Sequence, residues 1–254
     1  MRHLFSPEGA TALAAAMARA PLLAFDFDGT LAAIVARPDE ARVTAAVARR
    51  LAELARRLPL AIISGRSVDD VRGRLNFAPH FIIGNHGAED PGLPATAGDA
   101  QALDAVRERF RRYAYELDAA GVVVEDKLHS MALHYRLSRD RENAQAVITH
   151  VVAGLGPEVQ VFGGKMVVNL VAARAQDKGH AVANLVQRCG VRSAVFVGDD
   201  INDEPVFARA EPSWLTVRVG RDDPNSHAMF VLDNYGEVAT MLDRMLAVLA
   251  GAQD

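Results

Sequence analysis

Two aspartates, Asp26 and Asp28, lie one residue apart in an apolar segment that is typical of a buried strand. Burying a carboxylate costs free energy unless it is paired or binds a metal. Side chains i and i+2 of a strand point to one face, so we predict that residues 22–28 form a strand with both carboxylates side by side at its end. Two like charges that close need a cation or a shared proton. The pair therefore indicates a catalytic site built around Mg²⁺.

The two aspartates could carry out phosphoryl transfer in separate roles. Asp26 is best placed as a nucleophile, because carboxylates attack phosphorus in aspartyl-phosphate enzymes. Asp28 could protonate the leaving oxygen and later activate water. Gly29 lets the chain turn away and leaves backbone N–H groups free to face phosphate oxygens.

A second acidic segment, Gly198-Asp199-Asp200-Ile201-Asn202-Asp203, follows another apolar run. A dense acidic loop of this kind suits a hard cation with oxygen ligands. Since Mg²⁺ usually keeps waters and takes few carboxylates, we expect some of these aspartates to bind the ion and others to support the site. A solvated acidic loop at a helix start is the alternative.

Three other polar residues could complete the site. Ser64, before Gly65-Arg66, could hold a phosphate oxygen, although Ser-Gly is also a common turn after a strand. Lys178, at a predicted helix start, could neutralise phosphate charge. His86 follows a further strand and is better suited to organising the site than to catalysis. The carboxyl ends of parallel strands form one crevice, which would bring these residues to the aspartates.

The elements that must position these residues alternate between strand and helix. We predict strands at 22–28, 59–64, 80–84, 193–198, 214–219 and 229–232, with helices at 44–57, 68–75, 178–189 and 235–250. This order favours a Rossmann-like parallel sheet with helical crossovers. Between them, a helix over 99–119, a hairpin from 121 to 137, a helix over 140–153 and two strands turned at Gly163-Gly164 predict an antiparallel sheet with helices on one face. The fold class is thus α/β with an inserted α+β cap. We place the core at 1–90 and 176–254 and the cap at 91–175.

Composition limits the classes of function. The chain has 254 residues, 50% of them hydrophobic, a net charge of −4 and one cysteine. A negative chain gives no electrostatic case for binding nucleic acid or an anionic membrane. One cysteine excludes an internal disulfide and suits a reducing compartment. We expect a cytoplasmic protein without a membrane span; the sequence leaves the oligomeric state open, with a monomer favoured.

The motifs as a set resemble those of the haloacid dehalogenase superfamily of phosphatases. The resemblance rests on Asp26-Phe27-Asp28-Gly29-Thr30-Leu31, Ser64, Lys178 and Gly198-Asp199-Asp200. Further segments resemble the trehalose-6-phosphate phosphatase family: Ser64-Gly65-Arg66, Asn85-His86-Gly87-Ala88-Glu89, Glu125-Asp126-Lys127 and His134-Tyr135-Arg136. The resemblance implies a Mg²⁺-dependent phosphatase that hydrolyses trehalose 6-phosphate, a small sugar phosphate, through an aspartyl-phosphate intermediate.

The resemblance also implies roles for individual residues. The catalytic set would be Asp26, Asp28, Ser64 and Lys178. The metal ligands would be Asp26, Asp28 (through its carbonyl) and Asp199, supported by Asp200 and Asp203. The substrate would contact Gly29, Thr30, Gly65, Arg66, His86, Glu125, Lys127 and Asn169.

Two departures from the family pattern leave alternatives open. Asn169 lies where the family usually has a glutamate, and Asn202 lies where threonine is usual. Asn169 keeps open a phosphatase for another sugar phosphate on the same core. A phosphosugar mutase with a similar cap is a further, less favoured alternative. A non-catalytic sugar-phosphate sensor would be expected to lack one of the core motifs. The Glu125–Lys127 pair could also be an ordinary surface charge pair.

Overall fold

The computed structural model describes residues 1–35, 37–93 and 97–251. The chain divides into two units, one of Met1–Gly87 with Asp177–Asp254 and one of Ala88–Gln176. We keep 91–175 as our prediction for the limits of the cap; residues 94–96, near its first boundary, lie outside the described residues.

The first segment of the core unit alternates strands and helices. Its elements are β1 (Arg2–His3), α1 (Pro7–Met17), β2 (Leu22–Phe25), α2 (Ala45–Ala55), β3 (Leu60–Ile63), α3 (Val68–Arg72) and β4 (Phe81–Ile83). The helices begin where Ser6, Thr44 and Ser67 cap backbone N–H groups, as short hydroxyl side chains favour. β2 is buried on both faces, with Leu23 and Phe25 in one apolar cluster and Leu22 and Ala24 in another. Burial on two faces is typical of a parallel sheet between helical layers.

The inserted unit is an antiparallel sheet with helices. Its elements are α4 (Ala97–Arg112), α5 (Ala114–Ala119), β5 (Val123–Asp126), β6 (Ser130–His134), α6 (Arg141–Val152), β7 (Val159–Gly164) and β8 (Val167–Ala172). The strand order is β5-β6-β8-β7. Met131, Leu133 and Leu170 join residues of all three helices in one apolar cluster. The helices therefore cover one face of this sheet, as predicted.

The second segment completes the core sheet. Its elements are α7 (Lys178–Arg188), β9 (Ala194–Gly198), α8 (Glu204–Arg209), β10 (Leu215–Val219), β11 (Phe230–Leu232) and α9 (Val238–Gly251). The strands follow the order β1-β11-β10-β9-β2-β3-β4, and all pairings are parallel. β2 and β9, which precede the two acidic segments, are hydrogen-bonded neighbours. No helix in the described ranges combines the length and apolar character needed to span a bilayer.

Several predicted ends are off by a few residues, and three predictions about the elements are wrong in ways that bear on the fold. β2 ends at Phe25 and not at residue 28, because the N–H groups of Leu31 and Ala32 donate to the Phe27 carbonyl and turn the chain. The helix over 99–119 is interrupted at Tyr113, which has φ −99° and ψ 15°. Gly163 and Gly164 do not form a turn, since they pair with Val168 and Val167 in the β7–β8 ladder.

Candidate active site

Asp26 is the first residue after β2, and its side chain is buried. Its N–H donates to the Val197 carbonyl of β9 at 2.9 Å, which fixes the backbone. Its Oδ1 accepts a hydrogen bond from Lys178 Nζ at 2.7 Å. Burial raises the pKa of Asp26 well above its ordinary value, Lys178 opposes the rise, and Asp203 and Asp199 add to it.

Lys178 is the first residue of α7 and is 1% exposed. Its ammonium group bridges Asp26 and Asp203, with 2.7 Å to an oxygen of each. Burial works against the charge, but Asp203 and Asp26 outweigh it and raise the pKa of Lys178 above its ordinary value. A charged lysine is therefore held between two buried carboxylates. The preceding Asp177 caps the helix by accepting from the His180 N–H at 2.8 Å.

The acidic loop after β9 places Asp199 and Asp203 beside Asp26. Oxygens of these three buried carboxylates lie within 4.8 Å of one another. Asp203 is held in place, since its Oδ2 accepts the N–H groups of Asp199 at 2.9 Å and Asp200 at 3.0 Å and its Oδ1 accepts Lys178. Asp200 caps the short turn that follows by accepting from the Ile201 N–H. The loop thus fixes Asp203 and presents Asp199.

The donor set fits a divalent cation. Three buried carboxylates lie close together, and the Lys178 ammonium group contacts only two of them, Asp26 and Asp203. Buried charge of one sign needs further compensation. Hard oxygen ligands are those that Mg²⁺ prefers. Gly29 makes room for this arrangement: a Cβ at Gly29 would lie 2.1 Å from Asp199 Oδ2, and its φ is +82°. Asp26 and Asp199 are therefore the two carboxylates best able to hold an ion, whereas Asp203 is engaged by its own hydrogen bonds.

Asp28 does not lie on a strand face with Asp26, since β2 ends before both residues. Its carboxylate accepts two hydrogen bonds from Arg66, Nε to Oδ2 and Nη2 to Oδ1, each 2.7 Å. This bidentate geometry is the strong form of the arginine–carboxylate contact. The prediction that Asp28 stands beside Asp26 on one strand face is therefore wrong, and the positive charge that Asp28 contacts is that of an arginine.

The segment Ser64-Gly65-Arg66 is joined to the turn after β4. The His86 N–H donates to the Ser64 carbonyl and the Asn85 N–H to the Arg66 carbonyl, at 2.9 and 2.8 Å. Asn85 and His86 both have positive φ, 50° and 60°, a strained conformation for residues other than glycine. Gly65 is required here, since a Cβ at that position would lie 2.3 Å from His86 Cε1. The structure thus brings Ser64, Gly65, Arg66 and His86 together.

Two of the predicted sugar-contacting residues of the inserted unit, Glu125 and Lys127, contact each other, and His134 joins them. Glu125 Oε2 lies 2.8 Å from His134 Nε2 and 3.3 Å from Lys127 Nζ. Burial works to raise the pKa of Glu125, but His134 and Lys127 outweigh it and lower the pKa. β8 neighbours β6 and not β5, yet Asn169 pairs with Ala132, which pairs with Glu125. Residues paired in register share a face, so Asn169 and Glu125 lie on one side of the sheet.

Thr30 is the remaining predicted residue, and some contacts near the site were not predicted at all. Thr30 is fully buried, and its hydroxyl has no hydrogen-bond partner among the described residues. Neither the Arg66–Asp28 contact nor the ion pairs of Arg66 and Arg74 with Asp70 were predicted from the sequence. Arg66, Asp70 and Arg74 are spaced at intervals of four, the spacing at which opposite charges meet on a helix. Only Asp70 lies within α3, so this spacing was a partial signal.

Solved structures define the fold class. The C-terminal domain of trehalose-6-phosphate phosphatase from C. albicans matches with a TM-score of 0.79 and 20% identity, over 93% of this chain and 96% of that one. A haloacid dehalogenase-like hydrolase from B. subtilis matches with a TM-score of 0.62 and 17% identity, over 87% of this chain and 98% of that one. The chain therefore has the haloacid dehalogenase fold, a Rossmann-like core with a cap, as predicted.

Sequence comparison narrows the class to a family. The trehalose-phosphatase family model matches residues 24–229. A trehalose-phosphate phosphatase of Mycolicibacterium paratuberculosis is 36% identical over 247 residues, which cover 89% of this chain. The chain belongs to the trehalose-phosphatase family, which confirms the resemblance. It spans 62% of the length of that relative.

Proposed function

We propose that the chain is a Mg²⁺-dependent phosphatase that hydrolyses trehalose 6-phosphate to trehalose and phosphate. The observation that carries the proposal is the buried Asp26, bound by Lys178 and grouped with Asp199 and Asp203 in a chain of this family. A buried carboxylate beside an ammonium group and a cation-binding set suits attack on a phosphate dianion. We keep the cytoplasm as its proposed compartment.

In the first step, an Asp26 oxygen forms a bond to phosphorus while the bond from phosphorus to the sugar oxygen breaks. Asp28 gives its proton to that oxygen, and trehalose leaves. In the second step, Asp28 takes a proton from water, whose oxygen attacks phosphorus and releases phosphate and the Asp26 carboxylate. Both oxygens of Asp28 accept from Arg66, but each keeps a second lone pair that can take the proton.

We assign phosphate binding to Lys178, Ser64 and the backbone N–H groups near Gly29 and Thr30, with Gly65 and His86 around the phosphate. The Arg66 guanidinium group instead contacts Asp28. Mg²⁺, when bound, supplies positive charge that offsets the charge of the phosphoryl group. Asp26, Asp199 and the carbonyl of Asp28 would hold it. Asp203 and Asp200 shape the loop that presents Asp199.

A panel of phosphosugars tests the substrate. We expect trehalose 6-phosphate to give the highest kcat/KM, measured as phosphate released with and without Mg²⁺. A better turnover of another sugar phosphate would favour the second candidate, a phosphatase of different specificity, which Asn169 keeps open. Interconversion of isomers with little free phosphate would indicate a mutase.

Binding of Mg²⁺ should stabilise the folded chain. At a concentration one hundred times its Kd, we expect the free energy of unfolding to rise by about 2.7 kcal/mol relative to a sample in EDTA. Thermal unfolding measures the difference without any substrate. Asp199→Asn should abolish most of the Mg²⁺ effect, whereas Asp69→Asn, on the exposed side of α3, should retain it. An undiminished effect in Asp199→Asn would place the ion elsewhere.

Glu125 and Lys127 are proposed to bind sugar hydroxyls. We expect Glu125→Gln and Lys127→Met each to lower kcat/KM for trehalose 6-phosphate about 10- to 100-fold, because a lost hydrogen bond to a charged group costs about 1.5–3 kcal/mol. Turnover of p-nitrophenyl phosphate, which has no sugar, should stay within about twofold of wild type. Equal losses on both substrates would contradict a role in sugar recognition.

A further inference from the structure

Asp28 is the end of a chain of ion pairs that runs away from the candidate active site. Arg66 binds Asp28 through Nε and Nη2, and its third nitrogen, Nη1, donates to Asp70 Oδ2 at 2.8 Å. The Arg66 side chain is 11% exposed. All the nitrogens of this guanidinium group therefore donate to carboxylates, and Asp70 bears directly on its orientation.

Asp70 is itself held through its other carboxylate oxygen. Arg74 donates to Asp70 Oδ1 through Nε at 2.8 Å and Nη2 at 2.5 Å. Arg74 Nη1 donates in turn to the carbonyls of Asp39 at 2.7 Å and Ala41 at 3.2 Å. The Arg74 side chain is 10% exposed. The far end of the chain of ion pairs is thus fixed to the backbone and not to a mobile side chain.

Negative and positive side chains alternate along this chain of ion pairs, so each charged group is stabilised by the opposite charges next to it. Burial works to raise the pKa of Asp70, but Arg74 and Arg66 outweigh it and lower the pKa below its ordinary value. The backbone of Arg66 is also fixed, because its N–H donates to Ser64 Oγ at 3.1 Å and its carbonyl accepts from Asn85. Because the Arg66 backbone is fixed and Asp70 holds its guanidinium group, the guanidinium group is a rigid support for the Asp28 carboxyl.

We propose that Asp70 is a positioning residue that acts through Arg66 to set the Asp28 carboxyl against the leaving oxygen, with Arg74 holding Asp70. The proposal rests on the proposed function, in which Asp28 gives a proton to the sugar oxygen. A sugar alkoxide is a poor leaving group and needs that proton, whereas p-nitrophenolate leaves without it. Loss of the support should therefore harm the two substrates unequally.

The test compares Asp70→Asn with a matched control, Asp69→Asn. Asp69 is the preceding residue of the same helix, and its side chain is 89% exposed. For Asp70→Asn we expect kcat/KM on trehalose 6-phosphate to fall about 10- to 100-fold, the effect of a small misplacement of a reacting group. The kcat/KM of Asp70→Asn on p-nitrophenyl phosphate should fall less than about threefold, because misplacement of Asp28 matters little when the leaving group needs no proton. Asp69→Asn should leave both values unchanged.

Equal losses on the two substrates would show a general structural role and overturn the proposal, as would no loss on either. Should Asp70→Asn unfold at the assay temperature, Arg74→Lys provides the same comparison, because lysine keeps the charge but loses the paired contact to Asp70.

The wild-type panel of phosphosugars separates this proposal from the proposed function. If another alkyl phosphate is the better substrate, the loss of kcat/KM on that substrate is compared with the loss on p-nitrophenyl phosphate. A larger loss on the alkyl phosphate still supports the role of Asp70. A wild type that hydrolyses no phosphomonoester would overturn both.

Discussion

Asp26→Asn is expected to lose turnover of trehalose 6-phosphate by about 10⁴-fold or more, the scale seen when a nucleophile that forms a covalent intermediate is removed. Asparagine keeps the shape of the side chain but cannot form the acyl phosphate. Lys178 retains its second partner, Asp203, at 2.7 Å, so we expect the variant to fold. The measurement is phosphate release, together with acid quenching to trap phosphate on the protein.

The phosphate trapped on the protein, followed with a labelled substrate, shows whether Asp26→Asn has lost the nucleophile or has a damaged site. Wild type should carry phosphate on Asp26 during turnover, and Asp26→Asn should carry none. The control Asp69→Asn should match wild type in both measurements. Near-full activity in Asp26→Asn would show that the attack comes from another group, and label on a different residue would identify it.

Lys178→Met should be the most destabilising single substitution in the site. Methionine is of similar length and has no charge, so Asp26 and Asp203 would stay buried without their ammonium partner. Removing one member of a buried ion pair costs about 3–5 kcal/mol. Urea unfolding at neutral pH in EDTA measures the loss. Phosphatase activity should fall as well, since Lys178 is the proposed counter-charge for the phosphoryl group.

A double variant and a pH series show whether the loss comes from uncompensated charge. Lys178→Met with Asp203→Asn should be more stable than Lys178→Met alone, because one buried charge has gone. Burial raises the pKa of Asp26 in the folded state, so the folded chain binds more protons than the unfolded one above the ordinary pKa. Lys178 opposes this rise, so its removal should raise the pKa of Asp26 further and the variant should gain more stability than wild type as pH falls. The deficit of Lys178→Met should therefore shrink as pH falls. A deficit that is independent of pH and of Asp203 would indicate lost packing instead.

Much of the core could be predicted because its signals are local. Short apolar runs that end in polar residues gave β2, β3, β4 and β9, and the sheet places β2 beside β9 as the paired acidic segments require. The residues Asp26, Lys178, Asp199 and Asp203 meet as the motif resemblance implies. Alternation of strand and helix was enough to predict parallel pairing.

The failures arise where a distant partner decides the conformation. Gly163 and Gly164 indicate a turn by composition, but their pairing with β8 keeps them extended. The prediction put Asp28 beside Asp26 because alternate side chains of a strand share a face. The side chain that Asp28 contacts is that of Arg66, 38 residues away in sequence. No local pattern states which of several arginines a carboxylate will meet. The spacing of Arg66, Asp70 and Arg74 was visible, but only the fold connects it to Asp28.

The pairing of β2 with β9 has a consequence for the order in which the chain acquires structure during synthesis. Leu22 pairs with Ala194, whereas the inserted unit, Ala88–Gln176, is one continuous stretch. Contacts between distant residues form late, because a long loop must close first. Ala194 follows Leu22 by 172 residues, and a ribosome adds roughly 5–20 residues per second, so one edge of β2 waits roughly 9 to 34 seconds for its neighbour. The inserted unit can meanwhile complete its own sheet, and the nascent core is the part that most needs protection from aggregation.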